Sequence, residues 1–177
     1  MSIFKRVGSI LRSHKQEPQT KPSNPLEDSS VGDIVTVDLE EYVISGKVIY
    51  FDRGYEPHRY AYYLQNGKNI HCLIVEKGRS YDCFICTFME GALDDPNDIP
   101  TRLEIDGDVT YELEHHRSDV TRTEGNTDFR SGDDVLFWRY FGPDEKFFFL
   151  QWQDGKFIAM EGSRTPGSQI KFLKSTR

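Results

Sequence analysis

Cys83-Phe84-Ile85-Cys86 has the C-x-x-C spacing that zinc knuckles and redox dithiols use, and a third cysteine, Cys72, precedes it. Metal capture by this spacing needs a turn that brings both thiolates to one point, whereas residues three apart on a strand face opposite sides. No Gly or Pro bends the segment and no second C-x-x-C follows, so buried structural cysteines are expected, with neither metal nor structural disulfide. If Gly78-Arg79-Ser80 is a turn, Cys72 falls directly opposite Cys86 across a hairpin. His115-His116 could complete a site, but adjacent residues of a strand also diverge.

Carboxylates form a second set. Asp94, Asp95 and Asp98, with Asn97 between them, are followed by Glu104, Asp106 and Asp108. Such a group could gather calcium or a small cationic ligand such as a polyamine. The spacing departs from the D-x-D-x-D-G calcium loop, and a solvated loop is the plainer expectation.

Aromatic residues are dense in Phe137, Trp138, Tyr140, Phe141, Phe147, Phe148, Phe149 and Trp152, which could line a cleft and are expected mainly to fill a core. There is no phosphate-cradling glycine loop, no G-x-S-x-G elbow and no H-E-x-x-H pair, so no catalytic residue and no cofactor is assigned.

The last candidate lies at the N-terminus. At 100° per residue, Ile3, Phe4, Val7, Ile10 and Leu11 fall within an arc of about 120°, with Lys5, Arg6 and Arg12 off that stripe, which describes a basic amphipathic helix. It is too short to hold in water alone, and Gly8 weakens it by about 1 kcal/mol, so it needs a surface: an anionic membrane, a protein partner's groove or the chain's own body. It lacks the continuous apolar core and cleavage site of a signal peptide.

The elements that must carry these residues are strands. Residues 16–30, rich in Pro, Ser and other polar residues, form a flexible linker, and the body begins near Val31. Ile34–Val37, Tyr42–Phe51, Arg59–Gln65, Ile70–Lys77 and Tyr81–Met89 are β-branched and aromatic runs divided by Gly, Asn or Pro. Further runs lie at Leu103, Tyr111, Val135–Phe141, Phe147–Trp152, Phe157–Met160 and Ile170–Leu173. The fold class expected is all-β: an antiparallel sandwich or partly open barrel of about ten strands over residues 31–177, behind the short helix of 1–15. A faint echo of Tyr63-Leu64-Gln65 in Phe149-Leu150-Gln151 leaves open a duplication of two halves, 31–92 and 101–177.

Charge divides the chain. Five basic residues against Glu17 give residues 1–21 a charge of +4, so of the total of -7 the remaining 156 residues carry -11. An acidic body repels phosphate backbones, which argues against nucleic acid as a partner. The three buried-type cysteines suit a reducing compartment, hence a cytoplasmic protein, with the N-terminal helix able to make it peripheral on the inner membrane face.

The strand runs also carry a family likeness. Gly32-Asp33 opening the first strand, the Tyr42 to Val48 strand, Tyr63-Leu64 before a turn, Leu73 to Glu76, and Gly162 followed by Pro166 resemble the bacterial family catalogued as domain of unknown function 4178. The likeness spans about residues 30–173 and departs from the pattern at Cys72, where a tryptophan is expected. It implies a bacterial cytoplasmic protein encoded near membrane-stress and polyamine-synthase-like proteins, and no reaction. The function expected is a non-enzymatic adaptor at the inner membrane surface or on a membrane-associated complex in envelope stress. A binding module for a small cationic ligand is the alternative, and an enzyme with an unrecognised site a second one.

Overall fold

The strand runs are realised as one closed barrel in a computed structural model, which describes residues 23–52, 54, 56–91, 93 and 95–176. In chain order the strands are β1 (Ile34–Val37), β2 (Glu40–Phe51), β3 (Pro57–Asn66), β4 (Asn69–Lys77), β5 (Tyr81–Met89), β6 (Arg102–Ile105), β7 (Val109–Gly125), β8 (Asp134–Phe141), β9 (Lys146–Gln153), β10 (Lys156–Arg164) and β11 (Ile170–Leu173). The hydrogen-bonded order is β11-β1-β2-β3-β4-β5-β10-β9-β8-β7-β6, and β2 pairs with β7 as well. That last pairing, from Gly46 opposite Gly125 to Phe51 opposite Val120, closes β2, β3, β4, β5, β10, β9, β8 and β7 into an antiparallel barrel of eight strands. Closure pairs both edges of these eight strands, and the short β11 and β6 are the edges that remain. Of the sandwich and barrel expected from the sequence, the barrel is formed, and it is fully closed.

Each half of the chain supplies a four-stranded meander, β2 to β5 and β7 to β10, and the halves meet at two seams, β5 with β10 and β2 with β7. Short turns join the meanders; at Asp154-Gly155 both residues have positive φ, 48° and 81°, the geometry of a two-residue hairpin that Asp-Gly adopts readily.

Alternation sorts the apolar residues into three clusters. Inside the barrel lie Val48, Tyr50, Ala61, Tyr63, Cys72, Ile74, Phe84, Cys86, Phe137, Phe147, Phe149 and Met160. On the outer face, Tyr60, Tyr62, Leu64, Leu73 and Val75 are covered by β1 and β11, through Val35, Val37 and Ile170. On the opposite flank, Tyr111, Trp138, Tyr140, Phe148 and Leu150 pack with β6 and the loop leading to it. The aromatic run thus divides between an interior set and an outer set, as core packing on both faces requires. The echoing pairs keep the same sides: Tyr63 and Phe149 point in, Leu64 and Leu150 out.

The helix expected over residues 1–15 and the first part of the linker lie outside the described residues. From Asn24 onward the chain is fixed to the barrel. A single helical turn, α1 (Pro25–Asp28), has Asn24 as its cap and Pro25 at its first position. Lys47 reaches out from β2 and donates to the carbonyls of Glu27 at 2.6 Å and Ser29 at 2.7 Å, while the Tyr62 hydroxyl donates to Leu26 O at 2.7 Å. The Glu27 carboxylate accepts from Tyr60 and Tyr81 and pairs with Lys77. Burial pushes the Lys47 ammonium below its ordinary pKa, with Glu124 and Asp28 acting the other way.

Candidate functional site

One end of the barrel is sealed by ions. Arg59, on β3, points inward with its side chain 2% exposed, a position where a lone charge would be costly. Its Nη1 donates to Asp119 Oδ2 at 3.0 Å, its Nε to Glu76 Oε1 at 3.3 Å, and its guanidinium lies 3.5 Å from the centre of the Phe137 ring. Asp119, on β7, is fully enclosed and also meets His58 Nε2 at 2.8 Å and Arg117 Nε at 2.9 Å. Burial alone would raise its carboxyl pKa. The hydrogen bond from His58 and the charges of Arg59, His58 and Arg117 outweigh burial and hold it below the ordinary range.

Arg139, on β8, extends the chain of ions by pairing with Glu76 and, through Nε at 3.0 Å, with Glu114. A bulge between Leu113 and His115 turns Glu114 to that position. Arg117 reaches Asp52 at 3.2 Å. Cations and carboxylates thus alternate across the barrel end, each holding the next in place.

The cysteines take the arrangement their spacing implies. Cys72 and Cys86 are directly opposed between β4 and β5 and face the interior, whereas Cys83 belongs to the outer cluster. Burial pushes the Cys83 thiol up to about 11 and the other two higher still, so all three are neutral thiols near pH 7 and weak nucleophiles. Among the described residues no three His, Cys, Asp or Glu side chains are grouped so as to hold a metal ion. His115 and His116 diverge, the latter stacking on Trp138 with ring centres 5.1 Å apart.

The other end of the barrel is open. A cavity of about 470 Å³ lies there, lined by Tyr63, Phe88 and Ile158 below and by Ser45, Lys68, Asn126 and Asp128 around the rim. Gly46 is what lets the rim form: a Cβ there would stand 2.0 Å from the carbonyl oxygen of Asn126, so only glycine allows the 126–128 loop to cross.

Acidic residues and apolar surface meet elsewhere, in a groove of about 300 Å³ between β6 and the outer barrel wall. Leu103, Ile105, Phe148 and Leu150 give it an apolar lining, and Glu90, Glu104 and Asp106 stand at its border. Asp95 and Asp98 are exposed on the preceding loop and do not line this groove; Asp95 accepts from the backbone and side-chain nitrogens of Asn97, both at 2.8 Å. Asp94 and the N-terminal residues Ile3, Phe4, Lys5, Arg6, Val7, Ile10, Leu11 and Arg12 lie outside the described residues.

A family model for a domain of unknown function, DUF4178, matches residues 30–167. The chain belongs to that family. The DUF4178 match runs through β1 to β10, so it takes in every strand of the closed barrel, both of its ends and the groove, and stops before β11. No curated protein and no solved structure matches the chain.

The ion network of this DUF4178 barrel is not foreshadowed by any motif. Arg59 reads as the start of an apolar strand, and its partners come from β4, β7 and β8. One signal was present: His115, Arg117, Asp119, Thr121 and Thr123 alternate with the period of a strand, but the polar residues are the inward ones.

Proposed function

We propose that this DUF4178 protein works by binding and not by catalysis, and that its body takes a small cationic ligand with an aliphatic stem, a polyamine being the simplest, in the groove beneath β6. The groove's composition carries the reading: methylene groups would lie on Leu103, Ile105, Phe148 and Leu150, and ammonium groups would meet Glu90, Glu104 and Asp106. The state of the polar groups supports the non-catalytic part, since the enclosed ions hold one another and the thiols stay protonated.

Spermidine is the probe. Calorimetric titration at low ionic strength should give saturable binding that weakens as salt screens charges beyond about 10 Å. Glu104→Lys together with Asp106→Lys, both exposed, should weaken it by about tenfold or more, which corresponds to about 1.4 kcal/mol. Equal binding by the double variant, or none by the native protein, refutes the reading.

A second reading, an adaptor at the inner face of the cytoplasmic membrane, is favoured by a different observation. A +4 arm with an apolar stripe is joined to an acidic body, and the chain is held to the barrel from Asn24 onward, so an arm resting on lipid would tether the body at a fixed point. Full-length protein should sediment with anionic vesicles, weakly and less at high salt, and removal of residues 1–15 should abolish this. Phe4→Asp with Ile10→Asp should remove the apolar part, and Arg6→Glu with Arg12→Glu the electrostatic part. Native protein that stays in the supernatant with such vesicles sinks the membrane contact and directs the stripe to a protein partner.

A further inference from the structure

We infer that the open mouth of the barrel is a second binding site, for a small aromatic acid whose ring lies against Phe88, with Tyr63 behind it, and whose anionic group meets Lys68. Eight-stranded barrels either fill with side chains or keep room for one small ligand. This one does both, at opposite ends. The ion network and the interior aromatics fill one end and the centre, and the cavity of about 470 Å³ at the other is in the range of small-molecule sites.

The cavity has a structural cause. β4 begins at Asn69 and β5 runs to Met89, yet their ladder stops at His71 opposite Thr87. Ile70 and Phe88 would be the next pair in register; instead the two strands part there, and both residues line the opening. Parting leaves the Phe88 ring half-buried at the opening, backed by the buried Tyr63, on which it stacks with ring centres 5.6 Å apart and planes 26° from parallel. A third ring could extend that stack in the offset manner aromatic groups prefer, with Phe157 and Ile158 closing the side.

Charge at the rim selects the sign of the ligand. Asp128 is paired with Lys156 at 2.9 Å, and Lys68, on the β3–β4 turn, has no acidic partner among the described residues. Lys68 and Asp128 are the charged residues that line the mouth, and because Lys156 from outside it neutralises Asp128, Lys68 is the uncompensated charge there on a body that is otherwise acidic, so an anion is drawn here. Asn126 adds an amide group able to orient a carboxylate or sulfonate. The acidic groove of the proposed cationic site is a neighbour, sharing Met89, Phe157 and Ala159 as a dividing ridge, and the opposite charge of the two rims makes their ligands distinct.

The probe is 8-anilinonaphthalene-1-sulfonate, an aromatic monoanion whose fluorescence rises in apolar surroundings, titrated into the full-length protein. One saturable site is expected. Lys68→Glu, on an exposed turn, should weaken it about tenfold or more with the melting temperature unchanged, and Phe88→Ala should weaken it as well. Glu104→Lys with Asp106→Lys should leave it intact, which separates this site from the spermidine groove. Undiminished binding by Lys68→Glu would place the dye elsewhere, on the basic arm for instance, and would overturn the inference, as would the absence of saturable binding to the native protein.

Discussion

Replacing Asp119 by alanine should cost about 3–5 kcal/mol of folding stability, because it strips an enclosed carboxylate from Arg59, Arg117 and the His58 ring and leaves Arg59 buried with Glu76 as its remaining carboxylate partner. The comparison that gives this number meaning is Glu114→Ala. Glu114 also pairs with an arginine, at 3.0 Å, but its side chain is 46% exposed, and water can replace it at a cost of about 1 kcal/mol or less. Urea unfolding of both variants measures the difference. Arg59→Met combined with Asp119→Leu should recover much of the loss, since removing both members of a buried pair removes the unpaired charge.

The same carboxylate gives a pH signature. Its pKa in the folded protein is below the ordinary value of 3.8, so the stability it contributes is fully present above that value and is lost as pH falls through the folded pKa. The native protein should lose stability steeply in that acid range, and Asp119→Ala should lose less of it there. If Asp119→Ala unfolds no more readily than Glu114→Ala, the network is ornamental and the barrel end is held by something else.

The ion network has no local signature in the sequence, whereas the ends of several strands do. β1, β5 and β11 end where the β-branched and aromatic pattern of Ile34–Val37, Tyr81–Met89 and Ile170–Leu173 ends, because those strands bury apolar side chains in the ordinary way. Along β7 Tyr111 alone reads as strand, because the inward positions that follow are occupied by Arg117, Asp119 and Thr121, which invert the apolar-in rule that makes strands readable. Without β7 at its full length there is nothing to pair with Gly46–Phe51, so closure was invisible and a sandwich remained an equal choice. The open mouth failed for a related reason: Lys68, Phe88 and Asp128 are each unremarked in sequence and are brought together only by the pairing of distant strands. The cysteine geometry, by contrast, followed from a single hairpin register and the period of two, both local properties.

Closure also determines what the interior aromatics are worth. Phe149 is completely enclosed, with ring centres of Phe84 at 5.3 Å, Phe137 at 5.8 Å and Phe147 at 6.4 Å on the neighbouring stretch of wall, and the cluster around these rings is completed from the rest of the barrel by Val48 and Tyr50 of β2 and Ala61 and Tyr63 of β3. An open sheet would leave such a ring half in water, where truncation costs little. Inside a closed wall no neighbour can collapse far enough to fill the space, so Phe149→Ala should cost about 3–5 kcal/mol, and its double-mutant cycle with Phe84→Ala should show a coupling of about 0.5–1.5 kcal/mol. Phe141 is the internal standard: it lies on β8 in the same aromatic run and contacts Phe147 edge-on at 5.5 Å, but it is 47% exposed. Phe141→Ala should therefore cost about 1 kcal/mol or less, since little apolar area leaves water there. A loss at Phe149 no greater than at Phe141 would mean that the interior is not packed around these rings, and a barrel closed by β2 and β7 would not describe the protein in solution.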